Sequence, residues 1–455
     1  MKCIEDEIPF EVPEGWEWCN LGVLTDVYGR IGFRGYTKND LVEKGKGAIT
    51  LSPSNIIDNK MDYSSCTYIS WEKYEESPEI MIQNNDILLV KTGSSYGKSA
   101  FVKKLPEKAT INPQFVVLKK TRINPQFLCY FLQSNYAKVN FDKLVVGTAI
   151  PTFSQASLSA MYIAFPGINE QERIVNKILE LLKYIDVVND EKKCLQSAIL
   201  QTKSKILDLA IRGKLVPQDP NDEPASVLLE RIRAEKEELV KQGKIKRDKK
   251  ESIIFKGGDN SYYEKIENTV ECIDTEIPFE IPNSWLWCRL ESIGNWQTGS
   301  TPSRRNDEYY GGYIPWIKTG DLNNGYIIDI PEYITEKALN ETAVKLIPSG
   351  TVLIAMYGAT IGKVGITTFE ATTNQACCAC CYPCGVLPEY LFYYLQSQKE
   401  NFINMAEGGA QPNISKEKII TSLIAVPPYK QQIKILNLIN ELNKHIDLIE
   451  GSVAK

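Results

Sequence analysis

Histidine is nearly absent from this chain, whose 455 residues include only His445. No cysteine or carboxylate pair accompanies that histidine, so histidine-based catalytic triads are excluded and a surface position is expected. No apolar run approaches the roughly 18 residues of a membrane span, and the opening "MKCIEDEIPF" lacks the apolar core of a signal peptide. We therefore expect a cytoplasmic protein whose twelve cysteines are reduced thiols.

A basic excess is also missing, since the formal net charge is -5. Taken alone, that total argues mildly against nucleic acid as a partner, but it conceals how the charges are placed. Residues 91–122 carry eight basic side chains against Glu107 alone. This stretch is either a solvated face or a binding surface; its basic residues are Lys91, Lys98, Lys103, Lys104, Lys108, Lys119, Lys120 and Arg122.

The chain contains an internal repeat. "EIPFEVPEGWEWCNL" begins at Glu7 and "EIPFEIPNSWLWCRL" begins at Glu276, 269 positions later. The segments "KTGSSYGK" and "AMYGATIGK" follow at an offset of 265, and "GTAIPTFSQ" and "GGAQPNISK" at 261. Because the order is kept while the offset drifts, one ancestral unit has been duplicated and adjusted in its loops. Each opening phrase is interpreted as a strand-and-turn clasp at the start of its copy.

Apolar residues spaced four and three apart follow each copy and predict the a/d seam of a coiled coil. Lys192 and Thr202 are the breaks in the first series. The alternative is two amphipathic helices on separate cores. We define the seam as Ile174, Ile178, Leu181, Ile185, Val188, Leu195, Ile199, Ile206 and Leu209, together with Ile435, Ile439, Leu442, Ile446 and Ile449.

A second helix is predicted for "VLLERIRAEKEELVKQGK", after Asp222 and Glu223. The next segment, "KIKRDKKESIIFKGGDNSYYEK", is interpreted as a flexible basic linker that is too polar to bury.

Two enzyme-like motifs do not fit their chemistry. "GSSYGKS" encloses three residues between Gly93 and Gly97, whereas a phosphate-binding loop needs four. "NPQF" occurs at Asn112 and Asn124 and is similar to the Asn-Pro-Pro-Phe loop of adenine methyltransferases, but the second proline is replaced both times. No glycine-rich cofactor loop accompanies it. Catalysis by this chain alone is not expected.

The run "CCACCYPC" has the Cys-x-x-Cys interval of a zinc site at Cys378, Cys381 and Cys384. In the repeat, however, Cys377 and Cys378 align with Val116 and Val117 of a plain strand. We therefore interpret these thiols as small core residues and expect no metal, with zinc as the alternative.

What remains has the composition of a DNA-reading surface, in which Arg and Lys contact guanine or phosphate and hydroxyl and amide groups contact base edges. These groups lie in segments where the two copies differ. The candidates in the first copy are Arg30, Arg34, Lys38, Lys91, Ser94, Ser95, Tyr96 and Lys98. Those in the second copy are Ser300, Thr301, Ser303, Arg304, Arg305, Lys318, Tyr357, Thr360, Lys363, Gln411 and Asn413.

Several longer segments resemble the specificity subunit of type I restriction-modification systems. They are "VPEGWEW", "TGSTPSRRNDEYYGGYIPWIKTGDL", "QERIVNKI" and, most specifically, "ILDLAIRGKLVPQDPNDEPASVLLERIRAEKEEL". The resemblance covers essentially the whole chain. It implies an α+β fold with two tandem, pseudo-repeated α/β target recognition domains, separated by long conserved helices that form an antiparallel coiled coil.

The resemblance also implies domain bounds and partners. Residues 1–166 and 261–427 would be the recognition domains, 167–260 the central helical region with its linker, and 428–455 the distal helix. The chain would be a non-catalytic subunit in host defence that binds double-stranded DNA and sets the spacer of a bipartite, asymmetric target. Two modification subunits would bring S-adenosylmethionine for DNA methylation, and two restriction subunits would bring ATP and Mg²⁺.

Two alternatives stay open. The distal seam is much shorter than the central one, so either the modification subunits complete the stalk or the chain is a shortened form. An orphan DNA-binding or scaffold protein without a methyltransferase partner is the second functional reading. Neighbouring restriction-modification genes would argue against it.

Overall fold

The computed structural model describes residues 10–30, 35–147, 150–245, 252–409 and 411–454. The chain divides into two units, Met1–Asn189 and Asp190–Lys455, and the division lies within one long helix. No helix in these described ranges is long and apolar enough to cross a membrane.

The first unit combines short strands with short helices. The strands are β1 (Trp16–Asn20), β2 (Asp26–Gly29), β3 (Leu41–Val42), β4 (Gly47–Leu51), β5 (Ile56–Ile57), β6 (Lys60–Met61), β7 (Thr67–Ser70), β8 (Ile87–Val90), β9 (Ser99–Phe101), β10 (Ala109–Ile111), β11 (Phe115–Lys119) and β12 (Tyr162–Pro166). The helices are α1 (Leu21–Leu24), α2 (Trp71–Glu75), α3 (Pro125–Leu132), α4 (Asn135–Leu144) and α5 (Gln155–Ser159). The long helix α6 (Ile168–Ile211) follows and continues into the second unit.

The second unit is built from the same kinds of element. Its helices are α7 (Ala225–Lys241), α8 (Glu336–Glu341), α9 (Pro388–Ser397), α10 (Lys399–Met405), α11 (Lys416–Ile420) and α12 (Tyr429–Ala454). Its strands are β13 (Ser252–Lys256), β14 (Tyr262–Ile266), β15 (Thr269–Cys272), β16 (Leu286–Arg289), β17 (Asn295–Thr298), β18 (Tyr310–Ile317), β19 (Gly325–Ile327), β20 (Tyr333–Ile334), β21 (Val352–Ala355), β22 (Val364–Thr367), β23 (Thr372–Thr373), β24 (Cys377–Cys381) and β25 (Leu423–Val426).

One sheet recurs in both units and confirms the duplication. Its strand order is β2-β11-β8-β9 in the first unit and β17-β24-β21-β22 in the second, where β19 adds a fifth strand. Strand β8 is buried on both faces: Ile87 and Leu89 join one core cluster, and Leu88 and Val90 join another. Alternate side chains of a strand point to opposite faces, so a continuous apolar run fits such a strand.

The cysteine-rich strand β24 occupies the matching place in the second unit. Cys378 and Cys380 face one core, and Cys377 and Cys381 face the other. The predicted core role of these thiols is therefore confirmed. The alignment was wrong by one residue, because Cys377 pairs with Ala355 as Phe115, not Val116, pairs with Val90.

Each copy is closed by a two-stranded antiparallel ribbon made of its first and last strands. In the first unit β1 pairs with β12, which places Trp18 opposite Ala164. In the second unit β16 pairs with β25, which places Trp287 opposite Ala425. The predicted clasp is confirmed, and the long helices α6 and α12 begin directly after the ribbons.

Part of the predicted seam is packed. Ile199 and Ile206 of α6 share one buried cluster with Ile435, Ile439 and Ile446 of α12. The ammonium of Lys203 lies 3.5 Å from Asp447 and 3.2 Å from Glu450. Lys434, near the start of α12, pairs with Asp222, beyond the end of α6, at 3.1 Å. The two segments therefore run antiparallel.

The middle of the predicted seam is not packed. Leu181, Ile185 and Val188 are 50%, 54% and 60% exposed. The heptad spacing predicted one continuous seam, but the pairing involves the C-terminal part of α6. At the end of the distal series, Ile449 is also 46% exposed.

The segment between the copies holds one confirmed element and one correction. Helix α7 lies where the second helix was predicted. The expected linker instead contributes β13 and β14, which form a three-stranded sheet with β15. Ile254 and Tyr262 are buried there, and Glu264 makes a bidentate pair with Arg289 at 3.0 and 2.5 Å. The sequence did not indicate this sheet, because its apolar residues stand singly among many charged residues.

We expect Ile439→Ala to lower the free energy of unfolding of the second unit by about 2–4 kcal/mol, because a buried isoleucine leaves a cavity. Leu448→Ala on the same helix is the matched control, since Leu448 is 65% exposed, and its effect should stay within about 0.5 kcal/mol. Scanning calorimetry measures both. An Ile439→Ala protein that melts like the wild type would contradict a packed seam.

Candidate nucleic-acid interface

Two loops meet beside the central sheet of each domain. In the first unit, residues 91–98 contact the segment 146–152, of which 148 and 149 lie outside the described ranges. The backbone N–H of Gly93 donates to the carbonyl of Pro151 at 2.9 Å, and the hydroxyls of Thr92 and Thr152 lie 2.7 Å apart. In the second unit, residues 356–363 contact 407–413, of which 410 is not described. We call these segments the paired loops.

The second pair repeats the backbone contacts of the first. Gly358 donates its N–H to the carbonyl of Pro412 at 2.8 Å, and Tyr357 bridges to Asn413 as Thr92 bridges to Thr152. Sequence offsets predicted that these loops correspond, but not that they touch. The contact depends on chain segments more than fifty residues apart in the first unit.

Glycine shapes both loops. Gly93, Gly97, Gly358 and Gly362 have φ values of +99°, +82°, +59° and +76°, which glycine adopts readily and other residues rarely do. The N–H of Gly97 donates to the carbonyl of Val90 at 2.8 Å, so it is directed to the loop's own backbone. The glycines therefore build a tight turn rather than a phosphate cradle.

Lys91 is the most unusual candidate in the first pair. Its backbone N–H donates to Gln114, as that of Met356 donates to Ala376, so the two residues are equivalent. Met356 is buried, whereas the Lys91 side chain is half-buried and desolvation lowers the pKa of its ammonium. No carboxylate within the described ranges pairs with that ammonium. A desolvated cation of this kind suits a phosphate or a base edge as its partner.

Other first-copy candidates are placed as follows. Ser94, Lys98 and Lys38 are exposed, and Ser95 is half-buried in the turn. Tyr96 donates its hydroxyl to Asp142 at 2.8 Å. Arg34 lies outside the described residues.

Arg30 requires a correction, because it is only 4% exposed. Its guanidinium donates to the carbonyl of Ile111 and the hydroxyl of Thr110 at 3.1 and 3.2 Å, and it lies over the ring of Tyr36. The residue joins strands inside the domain and offers no exposed group to DNA. In the sequence, an arginine near aromatic residues fits a DNA-contacting side chain and a buried structural side chain equally well.

The basic segment 91–122 is not one continuous cationic surface. Lys119 is half-buried and lies 3.3 Å from Asp86, and Lys120 and Arg122 lie 3.8 and 3.5 Å from Asp26. These carboxylates neutralise part of the local excess.

A cationic cluster stands out in the second copy. The guanidinium carbon of Arg304 lies 4.4 Å from the ring centroid of Tyr310 and 5.1 Å from that of Trp316. Glu332 accepts from Arg304 and, at 2.7 Å, from Lys318. The hydrogen bond from Arg304 is the main reason that the pKa of Glu332 is lowered. Because one carboxylate is shared by two cations, the cluster of Arg304, Lys318 and Glu332 keeps a net positive charge, and the aromatic rings and Glu332 orient its arginine.

The remaining second-copy candidates lie on the same domain. Six of them are exposed: Thr301, Ser303, Arg305, Tyr357, Gln411 and Asn413. Three are half-buried: Ser300, Thr360 and Lys363. Thr301 donates to Gln375. Their contacts with DNA stay a prediction.

The two NPQF motifs have structural roles. The side chain of Asn112 accepts from the N–H of Gln114 at 3.0 Å, within a turn. Asn124 caps α3 by accepting hydrogen bonds from the backbone N–H groups of Gln126 and Phe127.

The cysteine run and the histidine are placed as expected. Burial raises the pKa of the Cys378 thiol to about 12, and His445 is exposed.

The domain is duplicated, its two copies present different side chains on the same loop frame, and a long helix follows each copy. These features define a protein with two related recognition domains. The family described as type I restriction modification DNA specificity domain matches residues 13–196 and again 282–455. The chain belongs to this family and is a non-catalytic DNA sequence-specificity subunit with two recognition domains.

Two named relatives are similar in sequence to this chain over most of its length. It is 27% identical to the type I restriction enzyme EcoAI specificity subunit of Escherichia coli, with 96% of this chain and 79% of that protein covered. It is 25% identical to the EcoEI specificity subunit of the same species, with 99% and 81% covered.

Solved structures share the fold. A crystal structure of the HsdS subunit from Thermoanaerobacter tengcongensis has a TM-score of 0.56 at 16% identity, covering 99% of this chain and 94% of that one. A second structure, from work on complex assembly and conformational transition of the type I R-M system, has a TM-score of 0.60 at 16% identity, covering 98% and 94%.

We expect Lys91→Met, which copies the residue of the second domain, to weaken DNA binding and to reduce the salt dependence of affinity by about one unit of slope. The same change should raise the melting temperature of the first unit at neutral pH, because a desolvated charge is removed. Burial lowers the pKa of Lys91, so in the wild type the desolvation cost disappears as the lysine loses its proton at higher pH. The gain in melting temperature from Lys91→Met should therefore shrink as pH rises through the lysine titration.

The measurement is a salt titration of binding with the full chain assembled with its modification subunits. Lys103→Met, at an exposed site of the same unit, is the control for charge alone. Equal salt slopes for Lys91→Met and wild type would show that Lys91 contacts no phosphate.

Proposed function

We propose that this specificity subunit reads a bipartite, asymmetric double-stranded DNA target, one half-site for each recognition domain. The observation that carries the proposal is the common loop frame with different side chains. The two Gly–Pro backbone contacts are equivalent, yet Lys91 stands in one copy where Met356 stands in the other. Different groups on one frame suit different half-sites.

The second domain adds a reading element of its own. Arg304 is held by two aromatic rings and Glu332, so less conformational entropy is lost when it contacts a base or phosphate. Exposed hydroxyl groups on Thr301 and Ser303 adjoin it in sequence. This arrangement supports direct contact with base edges in one half of the target.

The exposed stretch of α6 supports a docking role. Leu181, Ile185 and Val188 are exposed on a helix whose later seam residues Ile199 and Ile206 are buried, and an apolar stripe of this kind suits a protein partner. We assign it to modification subunits, two per complex, which would carry S-adenosylmethionine. Two restriction subunits would bring ATP and Mg²⁺, and this chain itself would bind no cofactor.

Exchanging residues 291 to 407 for those of another family member should change one half of the methylated motif and leave the other half intact. The reason is that the exchanged span lies wholly within the second domain and includes its cationic cluster and the loop 356–363. Single-molecule sequencing of modified adenine in cells that carry and lack the gene measures the motif. A change in both halves would refute modular reading. Methyl transfer by the purified chain, without partners, would contradict the proposed division of labour.

Inserting one heptad after Val188 should lengthen the unread spacer without altering either half-site, because a helix rises about 1.5 Å per residue. The methylated motif again reports the result. The inserted heptad keeps apolar residues at the positions of Ile185 and Val188. The control replaces residues 182–188 with the same heptad, which keeps the length and these two apolar side chains, and should retain the original spacer. An unchanged spacer after insertion would mean that the helix does not set it.

A further inference from the structure

A buried glutamine stands at the fourth position of each long helix. Gln171 in α6 is 2% exposed and Gln432 in α12 is 0% exposed. Glutamine is mostly found at protein surfaces, so full burial at equivalent places in both copies requires specific partners.

In the first unit the amide of Gln171 joins three segments. Its Nε2 donates to the carbonyl of Pro166 at 2.7 Å, at the end of the closing ribbon. Its Oε1 accepts from the backbone N–H of Asn124 at 2.8 Å. Asn124 is the N-cap of α3, where a helix leaves backbone donors without partners.

In the second unit Gln432 makes the same connection. Its Nε2 donates to the carbonyls of Pro427 and Gly385, each at 3.1 Å. Its Oε1 accepts from the N–H of Leu387 at 2.8 Å, and Leu387 is the N-cap of α9. Because a carboxamide both donates and accepts, it satisfies a carbonyl and an N–H that an apolar side chain would leave unpaired.

A tryptophan of the opening phrase holds the same helix turn at a second point. The indole N–H of Trp16 donates to Glu170 at 3.1 Å, and that of Trp285 donates to Gln431 at 3.2 Å. We call the glutamine and tryptophan contacts together the joint. Attachment at two adjacent positions restrains both the tilt and the rotation of the helix relative to its domain.

We propose that Gln171 and Gln432 are positioning residues that fix the direction in which each long helix leaves its recognition domain, and thereby the spacing at which the half-sites are accepted. This inference rests on the proposed function. The glutamines touch no DNA in this scheme; they act through the helices.

The test measures methylation of duplexes that carry the native spacer, or a spacer one base pair longer or shorter, by the full complex. Gln171→Leu and Gln432→Leu should reduce the preference for the native spacer by about tenfold, because each leaves a buried N–H and carbonyl unpaired. Base preference within each half-site should be retained. Gln201→Leu, at an exposed position of α6, is the matched control and should behave as wild type.

Gln171→Glu provides a readout that loss of packing alone would not move. A neutral carboxyl group can donate to Pro166 and accept from Asn124 as the amide does, whereas a carboxylate cannot donate. Burial beside a carbonyl should raise the folded-state pKa of the new group, so the joint should be present below that pKa and lost as pH rises through it. Spacer preference in this variant should therefore recover on acidification.

The outcomes separate the two proposals. If both leucine variants retain the native spacer preference, with or without a change in melting temperature, the positioning role is wrong. If a leucine variant fails to fold, the Gln171→Glu series decides, and a pH-independent preference overturns the role. A wild-type complex that methylates every spacer equally would instead overturn the proposed function.

Discussion

The structure depends on the antiparallel ribbon that closes each recognition domain. Pairing β1 with β12, and β16 with β25, brings together segments that open and close each copy. Because the long helix begins directly after the second ribbon strand, the ribbon determines where that helix starts. The doubled opening phrase thus has a structural role, since its tryptophans line the ribbon and anchor the helix.

The paired loops combine one backbone frame with side chains that differ between the two copies. Their backbone contacts are equivalent in the two copies, and positive-φ glycines hold both turns. Side chains on that frame can change without disturbing it, since the fold is maintained by backbone hydrogen bonds and the buried sheet. Lys91 and Met356 illustrate the exchange, because the same site holds either a poorly solvated charge or a packed apolar chain.

Much of this architecture could be predicted from sequence, for identifiable reasons. Offsets of identical residues located the two copies, and Pro, Gly and Trp kept their places because the ribbon and turns require them. The failures were equally specific. Arg30 was indistinguishable from a surface arginine, and the β13–β15 sheet was hidden because Ile254 and Tyr262 stand among charged residues.

By itself the sequence determined the duplication, the order of the domains and the family, since these are carried by residue identity and spacing along the chain. Tertiary structure alone decided which loops touch, which cations are already neutralised by carboxylates, and which part of the seam is packed. Those properties arise from contacts between distant segments, such as Gly93 with Pro151 and Gln432 with Leu387. Local spacing carries no information about the partner that a side chain meets across the fold.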